Sequence, residues 1–598
     1  MDNLDIDLES AETAASHYLS RPVTADSAVT SRTASTNDEI TRHVRQTERL
    51  HSQRLQHVHT VGSTPGSRSV SRAESEPLPP FGGGKPYPPA IPAEREAYVV
   101  DFAGVDDPSH PLNWQWRRKL AVAAVGALAC LCSTFGSAVL SPATARIGEY
   151  FHLSVEVSSL SSALYLAGYG FGPTLWAPMS ELRGRKLPLL IGNFGFSIFA
   201  LATAVSKDVQ TLMICRFFMG VFGSSPIVIV AAVYSDIYRA EQRGLALTMF
   251  AVAVFLGPMV APIVGSFTVT SYLGWRWNGY WSMIMGFATF LLIVLVVEET
   301  YPPAVLVSKA ELLRRRTKNW AIHAKQEEIE ISIQELIEKN LTRPLRMLVT
   351  EPLLLLTGFY LSFVYGLMYV TLSAYPLIFR GVHGMTPGVG SLPFLGIALG
   401  MVMAGIASIS MNSRWARKYR SNNNRALPEW RLPLAMVGGF VFTIGLFWLG
   451  WTGAYSNIHW IVPTIAGVFV GFGLLSIFMQ LVMYIIDAYL MFAASALAGN
   501  TIIRSLFAAA CPLFDRQMFE NMKIQWGFTL LGCVAAVLVP VPLLLHLYGP
   551  KLRQKSKWAP TFSLPPQVHH EREKETELDQ TSLQGAAQKG VKDKEIDI

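Results

Sequence analysis

Two arginines, Arg216 and Arg504, lie inside long runs of apolar residues. If these runs cross a lipid bilayer, each charge is costly to bury and marks a place where protons, ions or a polar solute are handled. Arg216 could instead extend its guanidinium to the nearer membrane surface, as long charged side chains do. Arg504 could neutralise an anionic solute or pair with Asp515 of the same run. The two arginines therefore predict handling of a solute or of protons within a membrane.

A short charged loop offers a second kind of chemistry. It carries the acid Glu181, a glycine turn at Gly184, and the bases Arg185 and Lys186. A turn of this kind can hold a latch of charges between helices, and such contacts can differ between two states of a protein. We expect Asp236 to pair with this loop or with the arginines that follow Asp236 in the sequence.

Groups that could carry a proton lie only at the ends of the apolar runs. Buried carboxylates or histidines are the usual proton carriers in membranes, but no Asp or Glu lies at the centre of a run, and His546 is near a run's end. Asp487 could titrate at the membrane surface, or it could cap the helix that follows. The sequence therefore leaves the proton-carrying group unidentified.

These residues belong to a chain whose composition suits a membrane. Of the 598 residues, 51% are hydrophobic and 16% are charged, against about 25% charged in a soluble domain. Apolar blocks of about 20 residues suffice to cross a bilayer as helices. Twelve predicted spans lie at 120–140, 157–179, 187–206, 209–234, 245–272, 278–297, 352–379, 389–411, 432–451, 460–486, 488–514 and 524–548. The pattern predicts an all-α membrane protein with two six-helix bundles.

Polar segments divide the chain into five predicted parts. The segments at the two ends lack the large apolar residues needed to offset chain entropy, so they are predicted to be disordered and cytoplasmic. The parts are an N-terminal tail at 1–112, a six-helix bundle at 113–301, a cytoplasmic linker with amphipathic helices at 302–350, a second bundle at 351–549, and a C-terminal tail at 550–598.

Basic residues in the loops predict an internal repeat and an orientation. The loop after span two contains Arg185 and Lys186, and Arg417 and Lys418 follow span eight at what the sequence indicates is the same point of a six-helix unit. Internal repeats of this kind occur in transporters. Because Lys and Arg concentrate on this side, the side and both termini are predicted to be cytoplasmic. We expect the plasma membrane, with the vacuolar membrane as the alternative.

Several other classes of protein are disfavoured by what the sequence lacks. The five cysteines are scattered, without the spacing of a zinc site, and motifs of metalloproteases, serine hydrolases and P-loop nucleotide-binding proteins are absent. We therefore predict no enzymatic activity, no metal and no cofactor. The net charge of +7 is attributed to the cytoplasmic loops and not to nucleic-acid binding.

Two motifs in the first predicted bundle resemble those of the major facilitator superfamily. The loop from Ala177 to Lys186 is similar to the superfamily's signature between spans two and three. Ala177, Glu181 and Leu182 depart from that signature in the way that is typical of the fungal twelve-span drug:proton antiporter branch. The run around Arg216 resembles the span-four motif, whose arginine is implicated in proton transfer.

A third motif lies in span five. Gly257, Pro258 and Gly265 resemble the antiporter motif that marks exporters of this superfamily, with Ser266 in place of a second glycine. Proline kinks a helix because it removes a backbone donor, and glycine permits close packing. This motif favours export over uptake.

The resemblance implies a translocation path lined by spans one, four, seven and ten. The substrate-binding candidates are Ser133, Phe135, Tyr360, Tyr365, Tyr369, Gln480, Tyr484 and Arg504. The candidates for proton coupling or gating are Arg216, Glu181, Arg185, Lys186, Asp236 and Asp487. Aromatic and hydroxyl side chains would suit an aromatic or amphipathic solute.

The sequence-based hypothesis is a proton-coupled exporter of small organic molecules, such as drugs, toxins or secondary metabolites, that works by alternating access. Its expected partners are the small-molecule substrate, protons and the lipid bilayer, and the chain is expected to act as a monomer. Two alternatives stay open. One is facilitated or proton-coupled transport of organic acids or polyamines, and the other is an uptake porter on the same fold.

Overall fold

The computed structural model describes residues 78–87, 95–104, 106–328, 338–421, 427–556 and 558. The predicted disordered stretches 1–77 and 559–598 lie outside these residues. Contacts divide the described chain into two units, one formed by Pro108–Ala304 with Ile331–Ile598 and the other by Met1–Asp107 with Val305–Glu330. The first unit contains the predicted spans.

Helices occupy all the predicted spans. Span two is divided into Val155–Phe171 and Pro173–Arg183, and spans eleven and twelve lie in Ala493–Leu538 and Pro540–Lys555. The other spans are Trp116–Ala138 (one), Lys186–Val205 (three), Val209–Ile237 (four), Ala240–Thr270 (five), Trp277–Val296 (six), Pro352–Tyr375 (seven), Phe394–Ser421 (eight), Leu432–Gly453 (nine) and Ile461–Tyr489 (ten).

In the described part of the chain, 10 helical stretches are long and apolar enough to cross a membrane, whereas the sequence predicts twelve spans. The difference arises because one predicted span is divided and two others form one stretch. Span two is interrupted at Gly172 because Pro173 cannot donate to a helical hydrogen bond. Spans eleven and twelve fall in one stretch, Ala493–Gln554, although Lys523 between them has non-helical backbone angles (φ 63°, ψ 159°). The helices are therefore consistent with twelve crossings.

The two halves of the first unit share one packing plan. In the first half, span three packs on span four, span two on span four, and span one on span five. In the second half, the corresponding pairs nine and ten, eight and ten, and seven and eleven are in contact. The halves meet mainly where span two packs on span eleven and span five on span eight. This correspondence supports the predicted repeat of six helices.

Glycines allow matching pairs of helices to approach closely in each half. A Cβ atom on Gly220 of span four would lie 2.0 Å from the carbonyl oxygen of Tyr165 in span two. In the second half, a Cβ atom on Gly471 of span ten would lie 2.1 Å from the carbonyl oxygen of Ile397 in span eight. Neither position has room for a side chain, so the backbones set the distance between these helices.

The second unit is small and differs from the predicted organisation of its parts. Val99–Val100 and His323–Ala324 pair as short parallel strands, over a core that includes Phe81, Tyr98 and Leu313. This part of the predicted disordered tail is ordered in the structure because Phe81 and Tyr98 have apolar partners in the linker.

The predicted linker and the start of the predicted C-terminal tail also differ from the expectation. The linker begins with the helix Pro302–Thr317 and ends with the helix Arg343–Thr350. Between them, His323–Ala324 is extended, and 329–337 lie outside the described residues. The helix Pro540–Lys555 continues past residue 550. The boundary of the second bundle therefore lies beyond the predicted one.

Candidate functional site

A cluster of tyrosines lies where the two halves meet. Tyr369 of span seven and Ser137 of span one are joined by a 3.0 Å hydrogen bond between their hydroxyls. Tyr365, one helical turn before Tyr369, lies 3.4 Å from it between hydroxyl oxygens. On span two, Tyr165 and Tyr169 stack with ring centroids 6.2 Å apart. All four tyrosines are buried, so they form a polar and aromatic centre between the halves, which we call the central cluster.

Arg216 is fully buried beside this cluster and caps span one. Its Nη1 atom donates to the carbonyl oxygen of Gly136 at 2.9 Å, and Nη2 donates to that of Ser137 at 3.3 Å. Span one ends at Ala138, so these carbonyls have no partner within the helix. The guanidinium also lies over the ring of Tyr165, 4.7 Å from its centroid. Extension of Arg216 toward the membrane surface is therefore the wrong alternative, since 0% of the side chain is exposed.

Arg504 of span eleven occupies the opposite side of the cluster. Its guanidinium carbon lies 4.7 Å from the ring centroid of Tyr365 and 4.9 Å from that of Phe478. Its Nε atom is buried and has no hydrogen-bond partner. Asp515 does not pair with it, and the Asp515 Oδ2 atom is buried without a hydrogen-bond partner. Among the described residues, Arg504 has no carboxylate partner.

Aromatic rings close the cluster from span five. The ring of Phe255 packs on Phe478 of span ten with centroids 4.6 Å apart and on Tyr365 with centroids 6.0 Å apart. Phe255 comes from the first half and the other two from the second. The halves are therefore in contact at the centre through aromatic side chains as well as through the bond between Ser137 and Tyr369.

Three of the predicted substrate-binding residues face neighbours within their own half. Ser133 donates to the carbonyl oxygen of Gly223 in span four. Phe135 is buried, and its backbone nitrogen lies beside Gly257 of span five. The Tyr360 hydroxyl lies near Gly439 of span nine, and the Tyr484 hydroxyl lies near Gly549 after span twelve. Of the predicted set, the structure brings Tyr365, Tyr369 and Arg504 together at the centre.

Gln480, the remaining candidate, lines a separate small pocket near the end of the bundle that carries the basic loops. We call this end the basic end. The Gln480 amide donates to the Ser408 hydroxyl at 3.1 Å, and Ser408 lies 3.5 Å from Thr248 of span five. This contact joins the two halves at the basic end.

A matched ion pair lies at the basic end of each half. Arg185 Nε is 3.0 Å from Asp236 Oδ2 at the end of span four, and Arg431 Nε is 3.0 Å from Asp487 Oδ2 at the end of span ten. The four side chains are 10–14% exposed. The pairing of Asp236 with the charged loop is as expected.

The second pair corrects two sequence-based interpretations. Asp487 does not cap span eleven, because it lies within span ten and its carboxylate accepts from Arg431. Arg431 immediately precedes span nine as Arg185 precedes span three. The structural counterpart of Arg185 is therefore Arg431 and not Arg417, which is a residue of span eight.

Glu299, after span six, holds the turn that carries Arg185. Its carboxylate accepts from the backbone N–H of Arg185 at 2.8 Å and from that of Lys186 at 3.1 Å. A Cβ atom on Gly184 would lie 2.4 Å from this carboxylate, and Gly184 has φ of +82°, so the turn requires glycine. Glu181 lies one turn earlier, in the helix Pro173–Arg183. The loop therefore joins spans two, three, four and six.

The predicted antiporter motif packs span five against span one. A Cβ atom on Gly257 would lie 2.1 Å from the Thr134 hydroxyl, and one on Gly265 would lie 2.7 Å from the Val139 carbonyl oxygen. Pro258 lies inside the helix. Ser266, which departs from the motif, accepts a 2.7 Å bond from Arg380 after span seven. This bond joins the halves at the end opposite to the basic end.

The sequence-based search missed Tyr165, Tyr169, Phe255 and Phe478. Apart from Arg504 of span eleven, the candidates came from spans one, four, seven and ten, so spans two and five were left out. One signal was present: tyrosines four residues apart occur in span two and again in span seven, and residues at this spacing share a helix face. Phe255 and Phe478 carry no comparable signal, because phenylalanine is frequent throughout the spans.

Comparisons with known proteins agree with this architecture. Residues 126–512 match the family described as Major Facilitator Superfamily. The chain is 46% identical over 495 residues to the major facilitator superfamily multidrug transporter FLU1 of Candida albicans, covering 82% of this chain and 81% of that protein. It is 43% identical over 491 residues to the multidrug transporter TPO1_2 of Candida glabrata, covering 82% and 84%.

A solved structure agrees in fold. The partially occluded inward open conformation of the xylose transporter XylE from E. coli matches 72% of this chain and 98% of that chain, with a TM-score of 0.53 and 18% identity. With the residues matched above, the chain belongs to the major facilitator superfamily. It is a multi-pass membrane protein and a secondary transporter of small molecules. The predicted family and fold are confirmed.

Proposed function

We propose that the protein exports small organic molecules in exchange for protons, by alternating exposure of the central cluster to the two sides of the membrane. The observation that carries the proposal is the position of this cluster at the junction of the halves, where Ser137 and Tyr369 are bonded 3.0 Å apart. A solute can reach Tyr365, Tyr369 and Arg504 only when the halves separate, because all three are buried.

Contacts at the two ends support an alternating mechanism. The halves are joined at one end by Arg380 and Ser266 and at the basic end by Thr248 and Ser408. Opening either end requires breaking one of these contacts while the other persists. Packed interfaces of this kind change between discrete arrangements, as alternating access requires.

The cargo class is supported by the relatives and by the chemistry of the cluster. Two relatives are named multidrug transporters, and tyrosine and phenylalanine rings suit aromatic or amphipathic solutes. A polyamine would meet the cations Arg216 and Arg504, for which the described residues supply no carboxylate partner. The cluster therefore supports organic molecules other than polycations.

Export and proton coupling are part of the proposal. The span-five motif, with Gly257 and Gly265 packed on span one, supports export by its resemblance to the antiporter motif. Arg216 is the candidate for coupling, because its bonds to Gly136 and Ser137 connect span four to the end of span one beside the cluster. Protonation of a group elsewhere in the protein would act on the central cluster through the hydrogen bonds of Arg216.

We propose further that the basic end faces the cytoplasm of a cell whose plasma membrane holds the protein. The support is the concentration of Lys and Arg at that end, including Arg185 and Arg431. A cysteine introduced at Ser413 would be labelled by an impermeant reagent only after the cells are permeabilised. Labelling in intact cells would contradict this orientation.

The proposed function is tested by intracellular accumulation of a panel of aromatic and amphipathic compounds in cells with and without the protein. We expect lower accumulation of several compounds when the protein is present, and loss of the difference when a proton uncoupler is added. Equal accumulation for every compound would contradict export, and a difference that the uncoupler leaves unchanged would contradict proton coupling.

A further inference from the structure

We infer that the central cluster binds the carboxylate of an aromatic or amphipathic organic anion, with Arg504 as the residue that contacts it. This inference rests on the proposed function and specifies its substrate class. It starts from a buried cation: Arg504 is 7% exposed, and none of the described residues supplies a carboxylate to pair with it. A charge so placed is costly unless something neutralises it during the working cycle.

Two aromatic rings lie beside the Arg504 guanidinium and leave its N–H donors unused. The guanidinium lies 4.7 Å from the Tyr365 ring centroid and 4.9 Å from that of Phe478, so aromatic rings stabilise the cation without using its N–H donors. Its Nε is buried without a hydrogen-bond partner. A guanidinium edge with free N–H groups matches the geometry of a carboxylate, to which it can donate two parallel bonds.

A neighbouring hydroxyl extends this site. The Tyr169 hydroxyl is buried and has no partner, and it lies close enough to Arg504 for the two to interact electrostatically. A hydroxyl donor beside an unpaired cation would add to the hydrogen bonding of one bound carboxylate.

Arg216, the second buried cation beside the central cluster, differs from Arg504 in its hydrogen bonding. Arg216 already donates to the carbonyl oxygens of Ser161, Gly136 and Ser137, so its donors are used within the protein. It still contributes positive potential near Tyr165, whose ring it covers at 4.7 Å. The site therefore has one cation for contact and a second one that strengthens the field for an anion. Tyr365, Tyr369 and Phe255 supply the surface for an aromatic body.

The inference is tested with pairs of probes that differ in charge and share a shape. Benzoate, salicylate and 1-naphthoate are each compared with the corresponding neutral amide, and benzylammonium serves as the cation. The purified full chain is heated in detergent with each probe, since a ligand that binds the folded state raises the unfolding temperature. We expect the carboxylates to raise the unfolding temperature more than their amides or the cation. Equal shifts, or no preference in any pair, would overturn the inference.

Variants identify the residue responsible. Arg504→Gln removes the charge, and we expect it to weaken carboxylate binding by about 10- to 100-fold, the change that corresponds to losing a hydrogen bond to a charged group. Arg504→Lys keeps the charge without the two parallel donors and should retain part of the preference, which also covers the case of a Gln variant that fails to fold. Arg516→Gln removes an exposed arginine of the same helix and should leave the preference unchanged. A carboxylate preference that survives in Arg504→Gln would overturn the assignment.

Transport is measured separately so that the two proposals can fail independently. Radiolabelled benzoate is followed in vesicles that contain the full chain. Carboxylate-selective stabilisation without movement of any panel compound would contradict the proposed function while leaving the anion site intact. Transport of neutral and cationic compounds without carboxylate preference would contradict the anion site while leaving the proposed function intact.

Discussion

Arg431 and Asp487 are joined at 3.0 Å between Nε and Oδ2, the same atoms and distance that join Arg185 and Asp236 in the first half. In each pair the arginine precedes the third span of its half and the aspartate ends the fourth. The pairs therefore tie equivalent helices together at the basic end. Because interfaces of this kind can change between two states, we expect both pairs to affect transport.

Removing one partner of the Arg431–Asp487 ion pair should lower stability and export more than removing both partners. Asp487→Ala leaves a nearly buried Arg431 without its carboxylate, which costs about 3 kcal/mol for a buried pair, and we expect lower thermal stability and slower export. Arg431→Ala combined with Asp487→Ala should recover part of the loss. Arg516→Ala with Glu520→Ala, which removes an exposed pair, is the matched control and should change little. A loss in the double variant as large as the sum of the losses in the two single variants would contradict an interaction between Arg431 and Asp487.

Arg216 is expected to affect stability and coupling in separable ways. Arg216→Ala removes the donors to Gly136 and Ser137, so the unfolding temperature should fall, by the equivalent of about 3 kcal/mol for bonds from a charged group. Arg216→Lys keeps a charge that can reach fewer carbonyls and should fold better than the alanine variant. We expect its export to be slow and insensitive to an uncoupler. Export by Arg216→Lys that is as fast and as uncoupler-sensitive as in the unmodified protein would contradict a role in coupling.

Gly220 provides a test of the close packing between spans two and four. Gly220→Ala places a Cβ atom 2.0 Å from the Tyr165 carbonyl oxygen, which forces the helices apart and should lower the free energy of unfolding by about 1–3 kcal/mol. Since Tyr165 belongs to the central cluster, export should fall as well. Gly381→Ala adds a Cβ atom with nothing within 4 Å and serves as the control. Equal unfolding temperatures for the two variants would contradict this account.

His383, beyond the end of span seven, is expected to make the stability of the folded protein depend on pH. Burial lowers the pKa of His383 below its usual value, and the proximity of His459 lowers it further. The folded state therefore binds fewer protons than the unfolded state between the two pKa values, so stability falls as the pH drops below about 6.5 and levels off below the folded-state pKa. We expect a lower unfolding temperature at about pH 5.5 than at about pH 7.5.

His383→Gln should reduce this dependence, because the glutamine carries no proton in either state. The unfolding temperature of both proteins is measured across the pH range in one buffer series. An unchanged difference between the two pH values in His383→Gln would show that other groups cause it.

The span pattern could be predicted because membrane length imposes about 20 apolar residues on each helix, whatever its neighbours. The loop motif and the pairing of Asp236 were also accessible, since the charges lie close together in a short loop and at a nearby helix end. The pairing of Arg431 with Asp487 was not, because the apparent repeat placed Arg417 at the position of Arg185. Ordering of residues 95–104 depends on linker residues more than 200 positions away, such as Lys309, which bonds to the Asp101 carbonyl.

The sequence by itself determined the family, the helical architecture and the presence of two arginines within spans, because apolar length and local motifs are properties of contiguous residues. Only the tertiary structure decided what those arginines do. Arg216 and Arg504 look alike in sequence, yet one is bonded to three backbone carbonyls and the other lies beside two rings with an unpartnered Nε. The physical reason is that the partners of a buried charge come from other helices, and the packing of the helices places them.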